Sequence, residues 1–264
     1  MPKVKTETPP PGSLPRNSNP ERSMILARIA GQPVSEVVLD DQAVSLIRFE
    51  DAEPIRKFYA WPHRRVYDGL YWSSTTRTHV EFASLLEREF LMKSDFDIEV
   101  ADISAQPLAI LWPYRKHGPR DHVPDYFVRL TDGSGRVVDV RRPDKAQDNE
   151  QFAMTRRLCA QIGWDYEVFT GLSAQREANL RFMAGFRADR YQPEGSLIRV
   201  IQDCYSPATS FRAGLLRAVR STKLAKEQVH GHVLWMIFHS LLVLDLDAAI
   251  SMETQVHNPR EVAP

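Results

Sequence analysis

Two aspartates and an arginine near the middle of the chain are spaced for phosphate or metal chemistry. Residues 123–141 read Val-Pro-Asp-Tyr-Phe-Val-Arg-Leu-Thr-Asp-Gly-Ser-Gly-Arg-Val-Val-Asp-Val-Arg. Alternating runs at 126–130 and 136–140 flank the turn-forming Asp132-Gly133-Ser134-Gly135, a pattern that predicts a β-hairpin. Residues equidistant from an antiparallel turn face each other, which puts Asp125 within a pair or so of Asp139. Asp139 and Arg141, two apart on one strand, project from the same face. Carboxylates that close repel each other unless a proton or cation lies between them, and carboxylate oxygens are what Mg²⁺ prefers. On the metal reading, removing one acid should leave the metal-free protein at least as stable. The competing reading is a solvated hairpin, which an isolated Asp-Xaa-Arg triplet favours.

The surrounding elements must decide between them. A stretch without Pro or Gly predicts a helix over 79–94, and on it Glu87 is surrounded by Ala83, Phe90 and Leu91, with Glu81, Arg88 and Glu89 turned elsewhere. A carboxylate on an apolar face needs a cation, a hydrogen-bond donor or a perturbed pKa; the alternative is a Glu at the edge of the stripe paired with a Lys or Arg. Residues 102–108 read as a turn leading into a buried strand at 109–112, and 114–122 as a polar, basic loop. Beyond the hairpin, a helix is predicted over about 149–162, closed by Gly163. A strand at 164–169 follows, then a helix over 173–186 with Ser173 as N-cap. Helix, strand, hairpin, helix, strand, helix implies an α/β layer around a mixed sheet.

That order resembles the restriction-endonuclease-like nucleases, and most closely the TnsA-like endonuclease subunit of heteromeric transposases. The resemblance covers roughly residues 68–189. It rests on Ser84-Leu85-Leu86-Glu87, Gln106-Pro107, His122-Val123-Pro124-Asp125, Val138-Asp139-Val140-Arg141 and Gly163-Trp164-Asp165-Tyr166. It implies that Glu87, Asp125 and Asp139 are the acidic, metal-binding positions and that Arg141 stands at the usual lysine position. It further implies Mg²⁺, for which Mn²⁺ can substitute, and hydrolysis of a phosphodiester at DNA transposon ends, on the strand that the partner transposase leaves intact. The implied partners are an integrase-type transposase and an ATPase regulator. Arginine stays protonated and cannot act as a general base, although its fork holds phosphate oxygen well. Two other readings remain: a non-catalytic assembly factor linking transposase to ATPase, and an autonomous restriction or repair nuclease.

The rest of the chain sets limits. A length of 264 residues, with 43% hydrophobic and 26% charged side chains, predicts one main core plus a small module. No apolar run approaches the ~20 residues that cross a bilayer and no signal-peptide core is evident, so a cytoplasmic location without membrane contact is expected. Zero formal charge and a pI near 7.1 differ from the basic excess of proteins that grip DNA unaided. Cys159 and Cys204 lack metal-ligand spacing and read as reduced thiols. Residues 1–22 have the composition of a disordered tail. Val44 to Phe49 reads as a short strand. Aromatics including Phe58, Tyr59, Trp61, Tyr67, Tyr71 and Trp72 alternate with Arg56, Lys57, Arg64 and Arg65, fit either for packing or for stacking on nucleic acid.

A nuclease domain over 23–190 is therefore expected, then a linker near Pro193 and Gly195 and a second domain over 191–264. Helices are predicted at 197–204, 210–220 and 223–239, followed by a two-stranded wing at 241–246 and 252–257. This resembles the winged-helix module that ends TnsA-like proteins, which implies partner contacts. Arg212, Arg217, Arg220, Lys223 and Lys226 suit either phosphates or solvent. His230, His232 and His239 read as helix packing rather than zinc ligands.

Overall fold

A computed structural model describes residues 14, 17, 19, 21–29, 35–38, 44, 47–55, 67–113, 121–146 and 150–261. These fall into two compact units. The first combines Met1–Leu70, Val80–Ser84 and Glu99–Thr170; the second combines Tyr71–His79, Leu85–Ile98 and Gly171–Pro264.

Among the described residues, the first unit holds two sheets of three or more strands. In one, β1 (Met24–Ala27) lies between β2 (Ser35–Val38) and β6 (Leu108–Leu111), all antiparallel. In the other, the order is β5 (Val100–Ala105), β7 (Tyr126–Leu130), β8 (Gly135–Val140), β9 (Asp165–Phe169). The first three pair antiparallel and β8–β9 pair parallel. A parallel neighbour cannot be reached by a tight turn, and helix α2 (Glu150–Gln161) supplies the crossover. The α/β expectation with a mixed sheet is met. The hairpin falls where the alternation put it, turning through Gly133 at φ 87°, with Asp132 Oδ1 accepting from the Ser134 amide. Gly135 is needed for contact: a Cβ there would lie 2.7 Å from the Phe127 ring and 2.9 Å from Trp164 Nε1. Phe49, Phe127 and Trp164 stack at 5.0–5.4 Å between ring centres and fill the core beside Ile25, Leu108 and Ile110.

The second unit is mainly helical. It contains α1 (Leu85–Phe96), α3 (Ala174–Ala184), α4 (Gly195–Asp203), α5 (Phe211–Thr222) and α6 (Lys226–Phe238). It also contains a small sheet in which β12 (Gln255–His257) lies between β10 (Thr209–Ser210) and β11 (Val243–Leu244). Ser173 caps α3 and Ser210 caps α5. Every residue from Gly231 to Phe238 is buried, so α6 fills a core on all sides instead of presenting one apolar stripe. Gly214 on α5 lets it approach Tyr205, whose ring a Cβ there would meet at 2.1 Å.

Several expectations need correction. Residues 79–82 form strand β4 (His79–Phe82), paired with β3 (Gly69–Trp72), and the helix begins at Leu85. The alternation His-Val-Glu-Phe, with Val80 buried, has the strand period that the absence of Pro and Gly conceals. Residues 102–105 belong to β5, and the turn is confined to Gln106-Pro107, where Gln106 takes φ 48°. Phe49–Asp51 is a 3₁₀ turn and Val44 is helical, so the described residues of 44–49 form no strand. The small sheet has three strands, because Thr209 pairs with Val256. Within the expected tail, Leu14 packs on an apolar cluster. Asn17 is buried there and donates to the carbonyls of Leu111 and Arg22 at 2.9 and 2.8 Å.

The compact units also do not divide at Arg190. Residues of α1 and α3 pack with the C-terminal helices: Phe96 meets Phe238 at 5.7 Å, and Asn179 donates to the carbonyls of Leu246 and Ala248 at 2.8 Å each. Pro193 and Gly195 mark a helix start, not a thinning of contacts. Phe58, Tyr59, Trp61, Arg56, Lys57, Arg64 and Arg65 lie outside the described residues. Of the remaining aromatics, Tyr67 is exposed and Tyr71 buried.

Candidate functional site

Three sequence-predicted residues converge in the first unit. The β7–β8 register pairs Tyr126 with Val138, which carries Asp125 opposite Asp139. Asp125 Oδ2 accepts from the Val140 amide and from Arg141 Nη1, each at 2.7 Å. Arg141 Nη2 reaches Asp139 Oδ1 at 3.2 Å. One guanidinium fork therefore spans both carboxylates. The Asp125 backbone is fixed too, its carbonyl accepting from Gln106 at 2.9 Å. This ties the Gln106-Pro107 turn to the hairpin.

Asp139 is the most enclosed member, its side chain 0% exposed against 15% for Asp125 and 33% for Arg141. A carboxylate withdrawn from water must be hydrogen-bonded, and Asp139 is. Oδ2 accepts from the Tyr166 hydroxyl at 2.6 Å and from His122 Nε2 at 2.8 Å. Because a carboxylate only accepts, the proton lies on Nε2 of that imidazole. Tyr166 shares the face of Asp139 because the parallel register sets it beside Val137, two residues earlier on β8. The His122 backbone exchanges two hydrogen bonds with Ile110 on β6, so the imidazole is delivered from the other sheet.

Burial alone would lower the Arg141 guanidinium, but the charges of Asp125 and Asp139 outweigh it and the net shift is upward; the side chain is a fixed cation. Burial, and then the Asp139 charge, raise the Tyr166 phenol far above its usual range, which keeps it a donor. Next to the site, burial pushes the Cys159 thiol up to about 12, with Asp139 adding to the shift.

Glu87, the third expected acid, stands half-buried on α1 in the second unit. Among the described residues no set of three or more His, Cys, Asp or Glu side chains gathers as a metal site. The donor set that does gather still has the chemistry Mg²⁺ takes. Two hard carboxylate groups share the Arg141 guanidinium, and Mg²⁺ commonly uses one or two carboxylates while keeping waters. Arg141 supplies the shared cation here, so a metal held by Asp125 and Asp139 would compete with the guanidinium.

His122 and Tyr166 are the residues that sequence reasoning missed. Both lie inside motifs that carried the resemblance, but no local spacing announces a hydrogen bond between β9 and β8, or between a loop and β8. The C-terminal histidines do pack: His232 Nδ1 bonds the Tyr191 carbonyl at 2.8 Å, His239 Nε2 bonds that of Arg187 at 3.2 Å, and His230 lies against Phe186 and Phe211. Arg212 pairs with Glu253. Cys159 and Cys204 are both free and buried. Among the described residues no helix is long and apolar enough to cross a membrane.

Residues 97–171 match the family model described as TnsA-like endonuclease N terminal. The matched segment runs through β5 to β9 and contains His122, Asp125, Asp139, Arg141 and Tyr166; Glu87 precedes it. No curated protein matches the chain.

Proposed function

We propose that this chain is a metal-dependent DNA endonuclease subunit of a heteromeric transposase, hydrolysing a phosphodiester at transposon ends. The observation that carries the reading is the Asp125–Arg141–Asp139 bridge inside the segment similar to TnsA-like endonucleases. Mg²⁺ or Mn²⁺ held by Asp125 and Asp139 would supply an acidified water and charge neutralisation at the leaving oxygen. The protein's own groups bind and orient. The partly exposed Arg141 fork would turn from the carboxylates to two non-bridging phosphate oxygens, a bidentate partner of matching geometry. Its permanent charge excludes it as the acceptor of the water proton. Asp139, buried and held at Oδ2 by Tyr166 and His122, keeps its place while Arg141 moves.

A chain of zero formal charge lacks the basic excess that holds DNA unaided. DNA recruitment therefore falls to an integrase-type transposase, with an ATPase regulator controlling assembly. The run α4, β10, α5, α6, β11, β12, with β10 and β11 flanking β12, supports a winged-helix module for such partner contacts. Glu87 is retained in this reading as a further acidic group of the reaction.

The test is strand cleavage by the assembled complex on transposon-end DNA with Mg²⁺. Asp125→Ala, and separately Glu87→Ala, should abolish the cut assigned to this subunit while the variants stay folded. Unchanged cutting in Asp125→Ala would refute the active-site assignment, and unchanged cutting in Glu87→Ala would remove Glu87 from it. A second reading, a non-catalytic assembly factor, draws on the same salt bridge, since a guanidinium that neutralises both acids also makes a purely structural patch. It predicts that the parent complex makes no cut that depends on Asp125 or Asp139, yet fails to assemble without this chain.

A further inference from the structure

We propose that Tyr166, together with His122, is a positioning residue that fixes the Asp139 carboxylate so that Oδ1 always faces the cation shared with Asp125. The inference rests on the metal-site reading above and adds two side chains to it. Tyr166 and His122 donate to the same oxygen, Oδ2, at 2.6 and 2.8 Å, and Arg141 takes the other, Oδ1, at 3.2 Å. A carboxylate held by one donor can rotate about its terminal bond; two donors converging on one oxygen from different elements remove that freedom. The two elements are independent. Tyr166 is set by the β8–β9 register, and its ring is flanked by Phe152 and Arg156 of α2 at 6.5 and 5.7 Å. His122 is set by its backbone pairing with Ile110.

The division between the two oxygens gives this arrangement a role beyond satisfying a buried charge. Both donors to Oδ2, a phenol and an imidazole, sit on the oxygen away from Arg141, and the partly exposed donor, a guanidinium 33% exposed, sits on the oxygen facing Asp125. Partners that hold a ligating carboxylate in this way typically change metal affinity by about 10–100-fold when removed.

The test is Mn²⁺ binding to the full-length protein without DNA, measured by electron paramagnetic resonance, alongside thermal melts. Tyr166→Phe keeps the ring and deletes the donor; it should bind Mn²⁺ about tenfold more weakly while remaining folded. His122→Gln, which retains an N–H donor on a different side chain, should fall between the parent and Tyr166→Phe. Parental Mn²⁺ affinity in a folded Tyr166→Phe overturns the positioning role and leaves the metal site standing. If Tyr166→Phe does not fold, His122→Gln decides, and parental affinity there overturns the proposal. A parent that binds no Mn²⁺, and whose Arg141→Ala variant also binds none, overturns the metal-site reading and this inference with it.

Discussion

Arg141 and Asp125 meet through a 2.7 Å bond between Nη1 and Oδ2, and the other arm of the same guanidinium reaches Asp139. The two acids are therefore not left to repel each other when metal is absent. This reverses the expectation that deleting an acid would leave the metal-free protein as stable as before. Asp139→Ala should destabilise it by about 3–5 kcal/mol, because a buried charge pair is broken and the Tyr166 hydroxyl and His122 Nε2 lose their acceptor. Urea denaturation without metal measures this, and an unchanged midpoint would contradict the network.

Arg141→Ala separates the structural from the chemical part of the bridge. Without Mg²⁺ the variant should melt below the parent. Added Mg²⁺ should raise its melting temperature more than the parent's, because the cation position has been vacated. In the assembled reaction, cleavage should fall about 10²–10³-fold, the usual cost of losing one preorganised donor. Arg141→Lys should retain part of the activity, having the charge without the fork. Equal Mg²⁺ shifts in parent and Arg141→Ala would show that metal and guanidinium do not compete.

A chain ending at Arg190 should not fold normally. Asn179 would lose the Leu246 and Ala248 carbonyls it donates to, and Phe96 would lose Phe238. Circular dichroism should show a helical loss larger than the deleted helices explain, and size-exclusion chromatography should show aggregation. A cooperative melt with the full remaining helicity would place the boundary at Arg190 after all.

Stability should fall as pH drops below neutrality. Burial, and then Lys226, lower the His230 pKa; burial lowers that of His239, although its bond to the Arg187 carbonyl and the charges of Asp95 and Asp189 pull upward. With both folded values below 6.5, the unfolded chain takes up protons first. The stability these residues contribute is therefore full above about 6.5 and is lost as pH falls from there through their folded values. Glu89, raised by burial, titrates with the opposite sign. The informative measurement is thus the difference between the parent and a His230→Gln, His239→Gln double variant at pH 7.5 and 5.5. An equal loss in both would acquit the histidines.

The two thiols should differ in reactivity. Cys159 is buried with its pKa pushed up to about 12, which leaves almost no thiolate. Cys204 borders a surface cavity of about 450 Å³ with Arg217, Arg220 and Ser221. Iodoacetamide followed by peptide mass spectrometry should find Cys204 modified first. Preferential labelling of Cys159 would mean that β8 and α2 separate readily.

The parts of the fold legible in the sequence are those fixed by neighbours in the chain. The hairpin is readable because a Gly-containing turn sets its own register, and with it the Asp125–Asp139 pairing. Helices α2, α3 and α5 are readable from flanking residues such as Gly163, Ser173 and Ser210. What escapes depends on distant partners. The strand at 79–82 shows its period only over four residues and needs β3 to exist. The Tyr166 bond needs a parallel register that no turn dictates. Within the second unit, 71–79 is tied to 85–98 by Asp95, about twenty residues away in the chain. That buried carboxylate accepts from Tyr71, Ser73 and the amides of Ser74 and Thr75 at 2.8–3.0 Å.

The parallel pairing of β8 with β9 makes the site an all-or-none count. Sliding one strand by a single residue would send the paired side chains to the opposite face, separating Tyr166 from Asp139 at a stroke. A partly damaged preparation should therefore contain fewer molecules in which Tyr166 reaches Asp139, rather than a uniform population with a stretched bond. Counting intact molecules, not averaging a signal over all of them, is how heat or storage losses in this protein should be measured.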